Sequence, residues 1–129
     1  MLMSRVVTVN EATVQSTSVY KLGDLAIEGP SGVVWSEVSE QLNLNLVKLD
    51  AGAEIGEHIN DEVDVAMIVV SGSGEIEIDG TTERFGTDDV VMARRGAVRS
   101  VRAHTRLLYY TVHVRRDGPS IADAKTQSA

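Results

Sequence analysis

Short segments of alternating apolar and polar residues, separated by glycine turns, run through most of this chain. The segment QLNLNLVKLD places Leu42, Leu44 and Leu46 at every second position, which is the period of a β-strand. The segment EIEIDG repeats this alternation and ends in Asp79-Gly80, a pair that favours a tight hairpin turn. Many short strands with frequent turns are typical of a β-sandwich or a closed barrel. The pattern therefore predicts an all-β fold.

Further strands are predicted wherever β-branched and apolar residues cluster between turn signals. In chain order these are residues 6–9, 18–22, 26–27, 33–38, 65–70, 89–93, 98–101 and 106–114. The run from Val65 to Val70 is continuously apolar, which predicts a strand buried on both faces. In the leucine segment we expect the leucines in the core, and the asparagines either outside or in the barrel interior.

The length of the chain limits its organisation and its chemistry. A chain of 129 residues predicts one domain over residues 1–129, with a barrel core at about 40–115. The tail 118–129 is expected to be disordered or to form a short helical turn. The sequence has no cysteine, which excludes thiolate catalysis and cysteine-ligated metal centres. It also contains no apolar run of membrane-spanning length and no recognisable signal peptide, so we expect a cytoplasmic protein.

Charge and aromatic content argue against nucleic acid as a partner. The formal net charge is -7 and only 4% of the residues are aromatic, whereas nucleic-acid surfaces need clustered cations and often stacking rings. One local basic group forms either a solvated edge or a binding patch, and it consists of Arg94, Arg95, Arg99, Arg102 and Arg106.

Two stretches of the sequence carry a family resemblance. The stretch from Leu49 to Gly80 resembles the first signature motif of the cupin superfamily, with Gly52, His58 and Gly72 at the motif's spacings. The stretch from Thr87 to Ala103, anchored by Gly96, resembles the second motif. This resemblance implies a small cupin jelly-roll barrel, also called a double-stranded β-helix.

The resemblance also implies where a metal would bind, since cupins commonly hold a divalent ion with three histidines and one glutamate. Only His58 matches one of these ligands, while Asn60, Val65 and Arg99 occupy the other three positions. Asp64 is one residue away from the glutamate position and would face the other way on a strand. No metal cofactor is therefore expected, and a divalent ion could use only His58 of this set.

Arg99 is the substitution that weighs most against a metal. Its guanidinium is a permanent cation. At about 5 Å, with an effective dielectric constant near 20, it would repel a divalent ion by roughly 6–7 kcal/mol. A metal would therefore require the Arg99 side chain to point away.

The favoured hypothesis is a metal-free binding site in the barrel interior. His58 and Asn60 lie two residues apart and would share a face of one strand, and Arg99 would enter from the facing sheet. Guanidinium, amide and imidazole groups beside apolar walls such as Met67 suit a small anionic or polyhydroxylated ligand. His58 is also a candidate general acid or base, as in metal-free cupin isomerases and epimerases.

Two other hypotheses stay open. A metal-dependent dioxygenase or isomerase would use His58 and would need a further ligand such as His113, since His104 is expected in an exposed turn. An inactive barrel, acting as a structural or interaction module, would have a filled interior in which Arg99 pairs with a nearby carboxylate, namely Asp61, Glu62 or Asp64.

Two further predictions concern the tyrosines of the last strand and the pairing of the N-terminal strand. Tyr109 and Tyr110 are consecutive, so one faces inward, and both are kept as candidate wall residues because the parity of the strand is open. An early edge strand at 6–9 exposes unpaired backbone groups, and similar cupins commonly pair through such strands. We therefore expect a homodimer, with Trp35 in the core or at its interface.

Overall fold

The protein is described here by a computed structural model that covers residues 7–9, 12–14, 17–25 and 27–116. Within these residues the secondary structure is almost entirely β, with a single 3-10 turn at Leu22–Asp24. The strands are β1 Val7–Val9, β2 Ala12–Val14, β3 Gly32–Val38, β4 Leu42–Leu49, β5 Glu54–Ile59, β6 Val65–Ser71, β7 Ser73–Ile78, β8 Thr81–Gly86, β9 Val90–Ala93, β10 Val98–Ala103 and β11 Leu107–Val114.

Two antiparallel sheets form the barrel. One has five strands in the order β3-β4-β11-β6-β9, and the other has four in the order β5-β10-β7-β8, while β1 and β2 form a separate hairpin. The buried core between the sheets consists of Val47, Leu49, Met67, Val69, Ile76, Phe85, Val101, Ala103, Leu107 and Tyr109. We call this interior the lumen. The predicted all-β jelly-roll architecture is confirmed.

The alternation in β4 is confirmed, but the roles of its two faces are corrected. Asn45 faces the lumen on the same side as Val47, whereas Leu46 lies on the outer face, opposite Trp35 of β3. Leu46 is still fully buried, and Trp35 is half-buried against Tyr110. Leu42 is 42% exposed. Leu42, Leu44 and Leu46 therefore belong to the outer face of the five-stranded sheet and not to the core between the two sheets.

Strand β6 departs from the expectation of burial on both faces. Val65, Met67 and Val69 are at most 2% exposed and face the lumen, whereas Ile68 on the other face is 41% exposed. The continuous apolar run reflects two different surfaces, because alternate side chains of a strand point to opposite faces.

The connections around β7 depend on backbone conformations that favour glycine. Asp79 and Gly80 both have positive φ angles, of 50° and 86°, as a tight β7–β8 hairpin turn requires. Gly72 links β6 in one sheet to β7 in the other, with a φ of 95°. A Cβ atom there would lie 2.1 Å from the carbonyl oxygen of Arg106. The predicted hairpin is confirmed, and the segment from Ser71 to Gly74 carries the chain from one sheet to the other.

The N-terminal predictions are the least accurate. Residues 17–21 are not a strand, and Leu22 begins the 3-10 turn; Ile27 is not in a strand, and Ala26 lies outside the described residues. Strand β2 was not predicted, and β5 and β8 were expected only from the strand at His58 and the hairpin at Asp79-Gly80, without bounds. The expected C-terminal tail at 118–129 also lies outside the described residues.

No helix in the described part of the chain has the length and apolar character needed to cross a membrane.

Candidate functional site

Arg99 lies in the lumen, at the centre of the candidate site. It occupies β10, is 1% exposed, and pairs in register with His58 of β5 on one side and Ile78 of β7 on the other. Directly paired residues share a face of the sheet, so the half-buried His58 points to the same side as Arg99. Two of the sequence-predicted site residues are therefore brought together.

Asn60 follows the end of β5 at Ile59, so the expectation that it shares a strand with His58 is corrected. Its Oδ1 accepts hydrogen bonds from the backbone N–H groups of Glu62, at 3.0 Å, and Val63, at 3.2 Å. This side-chain capping fixes the turn that leads into β6. The Nδ2 group is buried and has no hydrogen-bond partner among the described residues. Asn60 therefore keeps two amide donors that the described part of the chain does not use.

The parity of β11 is decided by its pairing with β4 and β6. Tyr109, Thr111 and His113 face the lumen and are at most 3% exposed. Tyr110 lies on the outer face, where its ring is 6.3 Å from that of Trp35. The inclusion of Tyr110 as a wall of the site is corrected, because consecutive strand residues face opposite ways.

Some buried polar groups of the lumen satisfy one another. The buried Asn45 donates from Nδ2 to the buried Thr111 Oγ1 at 3.2 Å, and the hydroxyl of Ser36, an exposed residue of β3, donates to Asn45 Oδ1 at 2.6 Å. The hydroxyl of Tyr109 and the Nε2 atom of His113 differ from this group, since they are buried without a hydrogen-bond partner in the described structure. A buried polar group without a hydrogen-bond partner lowers the stability of the folded state by about 1–3 kcal/mol. Such groups in a native structure indicate a role other than stability, such as ligand binding.

Burial and like charges set the protonation of these side chains. Burial raises the pKa of Tyr109 well above its ordinary value, so its hydroxyl keeps its proton. Burial lowers the pKa of Arg99, and the nearby Arg116 lowers it further, while Tyr109 acts in the opposite direction. Burial also lowers the pKa of His113; the carbonyl of Val114 opposes this effect, and the two guanidinium groups add to it. The imidazole of His113 is therefore neutral at neutral pH.

Arg116 is a member of the site that the sequence analysis missed. Its side chain is 7% exposed, its Nε atom lies 3.6 Å from Glu62 Oε1, and its charge acts on both Arg99 and His113. It also lines a surface depression of about 370 Å³ together with Glu62, Val63, Val114 and Arg115. Arg116 follows the last strand, so no periodic pattern signals its direction.

The remaining candidates lie elsewhere. Met67 lines the lumen, whereas His104 is exposed and lies 2.9 Å from Glu75. Asp64 is exposed and accepts a hydrogen bond from the backbone N–H of Arg95. Of the five clustered arginines only Arg99 enters the lumen, and the other four are exposed.

The lumen does not fit a divalent metal. Among the described residues no three histidine, cysteine, aspartate or glutamate side chains converge. Val65 and Arg99 occupy two of the positions where cupins commonly have ligands, and both are buried and face inward. The donor set at this position is one imidazole, one amide and one cation, which disfavours a divalent ion.

Comparison with known proteins agrees with this architecture. The family model described as "Cupin domain" matches residues 45–113, which is more than half of the chain. The Cnp3 cupin domain of Schizosaccharomyces pombe has a TM-score of 0.70 at 19% identity, over 90% of this chain and 84% of that chain. No curated protein is similar enough to count as a match.

Two further solved structures have TM-scores of 0.66 at 24% identity. A conserved protein of unknown function from Streptococcus pyogenes is matched over 90% of this chain and 98% of that chain. KdgF from Halomonas sp. is matched over 79% of this chain and 97% of that chain. At these identities the similarity establishes the fold and not a shared ligand or reaction.

Proposed function

We propose that this chain, which belongs to the cupin family, binds a small organic anion in its lumen without a metal ion. The observation that carries the proposal is the burial of Arg99 opposite His58, at a position where cupins commonly have a metal ligand. A guanidinium binds a carboxylate or phosphate through two parallel hydrogen bonds, and a water-excluded cavity strengthens that contact.

Neighbouring groups support an anionic ligand over a neutral one. Tyr109 and Asn60 present buried donors with no hydrogen-bond partner in the described structure, and Arg116 adds a second positive charge. Donors and cations both stabilise an anion. His58 donates its Nδ1 proton to the Gly56 carbonyl at 2.9 Å, and its imidazole is the candidate general acid or base of the site.

A thermal-shift screen against small organic acids and sugar phosphates tests this proposal. Ligands of the site should raise the melting temperature of the wild-type protein and of Arg102→Met, a matched control on the exposed face of β10. The same compounds should not shift Arg99→Met. The proposal fails if no acid stabilises the wild type, or if the shift is unchanged in Arg99→Met.

The second candidate is an inactive barrel with a filled lumen. It is favoured by the hydrogen bonds among Ser36, Asn45 and Thr111 and by the use of Asn60 Oδ1 in a turn. These contacts account for part of the buried polarity but not for Tyr109 or His113. The same screen separates the two candidates, since a filled lumen gives no shift with any acid.

A homodimer and a cytoplasmic location also remain proposals. The hairpin of β1 and β2 pairs only with itself in the described residues, and an isolated two-stranded hairpin is marginally stable in water. A second copy could extend it by pairing along an edge. Size-exclusion chromatography with light scattering should give twice the chain mass of 13.9 kDa, and a monomer would contradict the dimer.

A further inference from the structure

The hydrogen-bonding capacity of the lumen is not uniform. Tyr109 Oη is a donor, and Arg99 and Arg116 carry positive charge, while Asn60 Nδ2 is a further buried donor in the turn that follows β5. The Nε2 atom of His113 differs in kind, although it is also buried without a hydrogen-bond partner in the described part of the chain. Whether this atom donates or accepts a hydrogen bond limits which ligands can bind beside it.

The partner of the other ring nitrogen fixes the tautomer of His113. Nδ1 lies 2.8 Å from the backbone carbonyl oxygen of Val114, which can only accept a hydrogen bond. The proton of the neutral ring is therefore on Nδ1. Nε2 carries a lone pair and is an acceptor, and the neutral state is favoured because the side chain is 3% exposed and near two guanidinium groups.

An acceptor in this position excludes some ligand groups and selects another. A carboxylate or phosphate oxygen would face the lone pair of Nε2 with its own lone pairs, which is repulsive unless the imidazole first takes up a proton. A hydroxyl group donates its proton to Nε2 and satisfies it. The site is therefore suited to a ligand that has an anionic group near the guanidinium groups and a hydroxyl group near His113.

Building on the proposed anion site, we propose that the ligand class is a small hydroxycarboxylic acid. Its carboxylate binds Arg99 and accepts hydrogen bonds from Tyr109 or Asn60, and its hydroxyl donates to His113 Nε2. Arg116, whose charge acts on both Arg99 and His113, contributes a second positive charge. His113 acts here as a specificity residue, because its Nε2 atom accepts a hydrogen bond from the hydroxyl group of the ligand.

Matched pairs of acids that differ only by one hydroxyl test this inference by isothermal titration calorimetry. The probes are lactate against propionate, malate against succinate, and mandelate against phenylacetate. Each site-binding hydroxy acid should bind at least about tenfold more tightly than its partner, because the deoxy acid leaves a buried acceptor without a donor. Titrations in two buffers of different ionisation enthalpy should show no proton uptake with the hydroxy acid.

Substitutions of His113 and Arg99 test the recognition of the hydroxyl separately from the binding of the anion. His113→Phe should reduce the preference to less than about twofold while the deoxy acid still binds, and His113→Gln, whose amide oxygen can accept, should retain part of it. Arg99→Met should bind neither member of a pair.

The outcomes are distinguishable. If both members of every pair bind the wild type equally, or if propionate or succinate binds with uptake of one proton, the hydroxyl inference is wrong and the anion site stands. If no acid binds, or if binding is unchanged in Arg99→Met, both proposals are wrong. A preference that is unchanged in His113→Phe assigns the hydroxyl to another residue and overturns the role of His113.

Discussion

Arg99 of β10 and His58 of β5 are direct cross-strand partners whose side chains share the inner face of the barrel. Both stand at positions where cupins commonly have metal ligands, yet one of them is a buried permanent cation. A permanent cation at this position repels a divalent ion. It is the residue on which the proposed anion site depends.

The first prediction concerns the contribution of this cation to stability. Arg99→Met removes a buried charge together with the interactions that the guanidinium makes in the fold, so it should lower the free energy of unfolding by about 1 kcal/mol or more. Urea denaturation measures the change. The exposed Arg102→Met on the same strand should change it by less than about 0.5 kcal/mol. An unchanged or higher free energy of unfolding in Arg99→Met would show that the interactions of Arg99 do not stabilise the fold.

The second prediction concerns the buried hydroxyl of Tyr109. Tyr109→Phe removes a polar atom that has no hydrogen-bond partner in the described structure, so the ligand-free protein should become more stable by about 1 kcal/mol. Binding of small acids should weaken in the same variant. Tyr110→Phe is the matched control, because that ring lies outside the lumen against Trp35 and should leave binding unchanged.

The third prediction concerns the crossing between the two sheets. Gly72→Ala combines a φ of 95° with a Cβ placed 2.1 Å from the Arg106 carbonyl oxygen, so it should destabilise the fold by about 3 kcal/mol or more. Gly80→Ala has a similar φ of 86° but open space around the Cβ, and should cost about 1 kcal/mol. Equal losses in chemical denaturation would contradict the steric argument.

The fourth prediction concerns pH. Burial lowers the pKa of His113 in the folded state from its ordinary value of 6.5, so the unfolded chain takes up a proton first as the pH falls. Stability due to this residue is therefore present above about pH 6.5 and is lost below it, by at most about 1.4 kcal/mol for each pH unit. Arg99 and Arg116 face His113 and act in the same direction.

Melting temperatures between pH 7.5 and pH 5 check this pH dependence. His113→Gln has no titrating group at this position, so it should lose less stability than the wild type over the same range. If the two proteins have parallel profiles, His113 does not contribute to the acid sensitivity of the fold.

The sequence predicted the features that follow from local periodicity and spacing. The alternation of β4, the Asp79-Gly80 hairpin and the motif spacing around His58 are all local patterns, and each is found in the structure. The sequence also predicted that Arg99 occupies the position of a metal-ligating histidine, because this assignment depends only on the distance along the chain from Gly96. The bounds of β5 were not predicted, because Gly56 and charged residues interrupt its apolar pattern.

The sequence by itself determined that this protein is an all-β jelly roll with a cation where cupins commonly bind metal. Only the tertiary structure decided that Tyr109 and His113 face the lumen while Tyr110 does not, and that Arg116 joins them. The physical reason is that a period of two fixes which residues share a face but not which face is inside. That choice depends on how two sheets, distant in sequence, pack against each other.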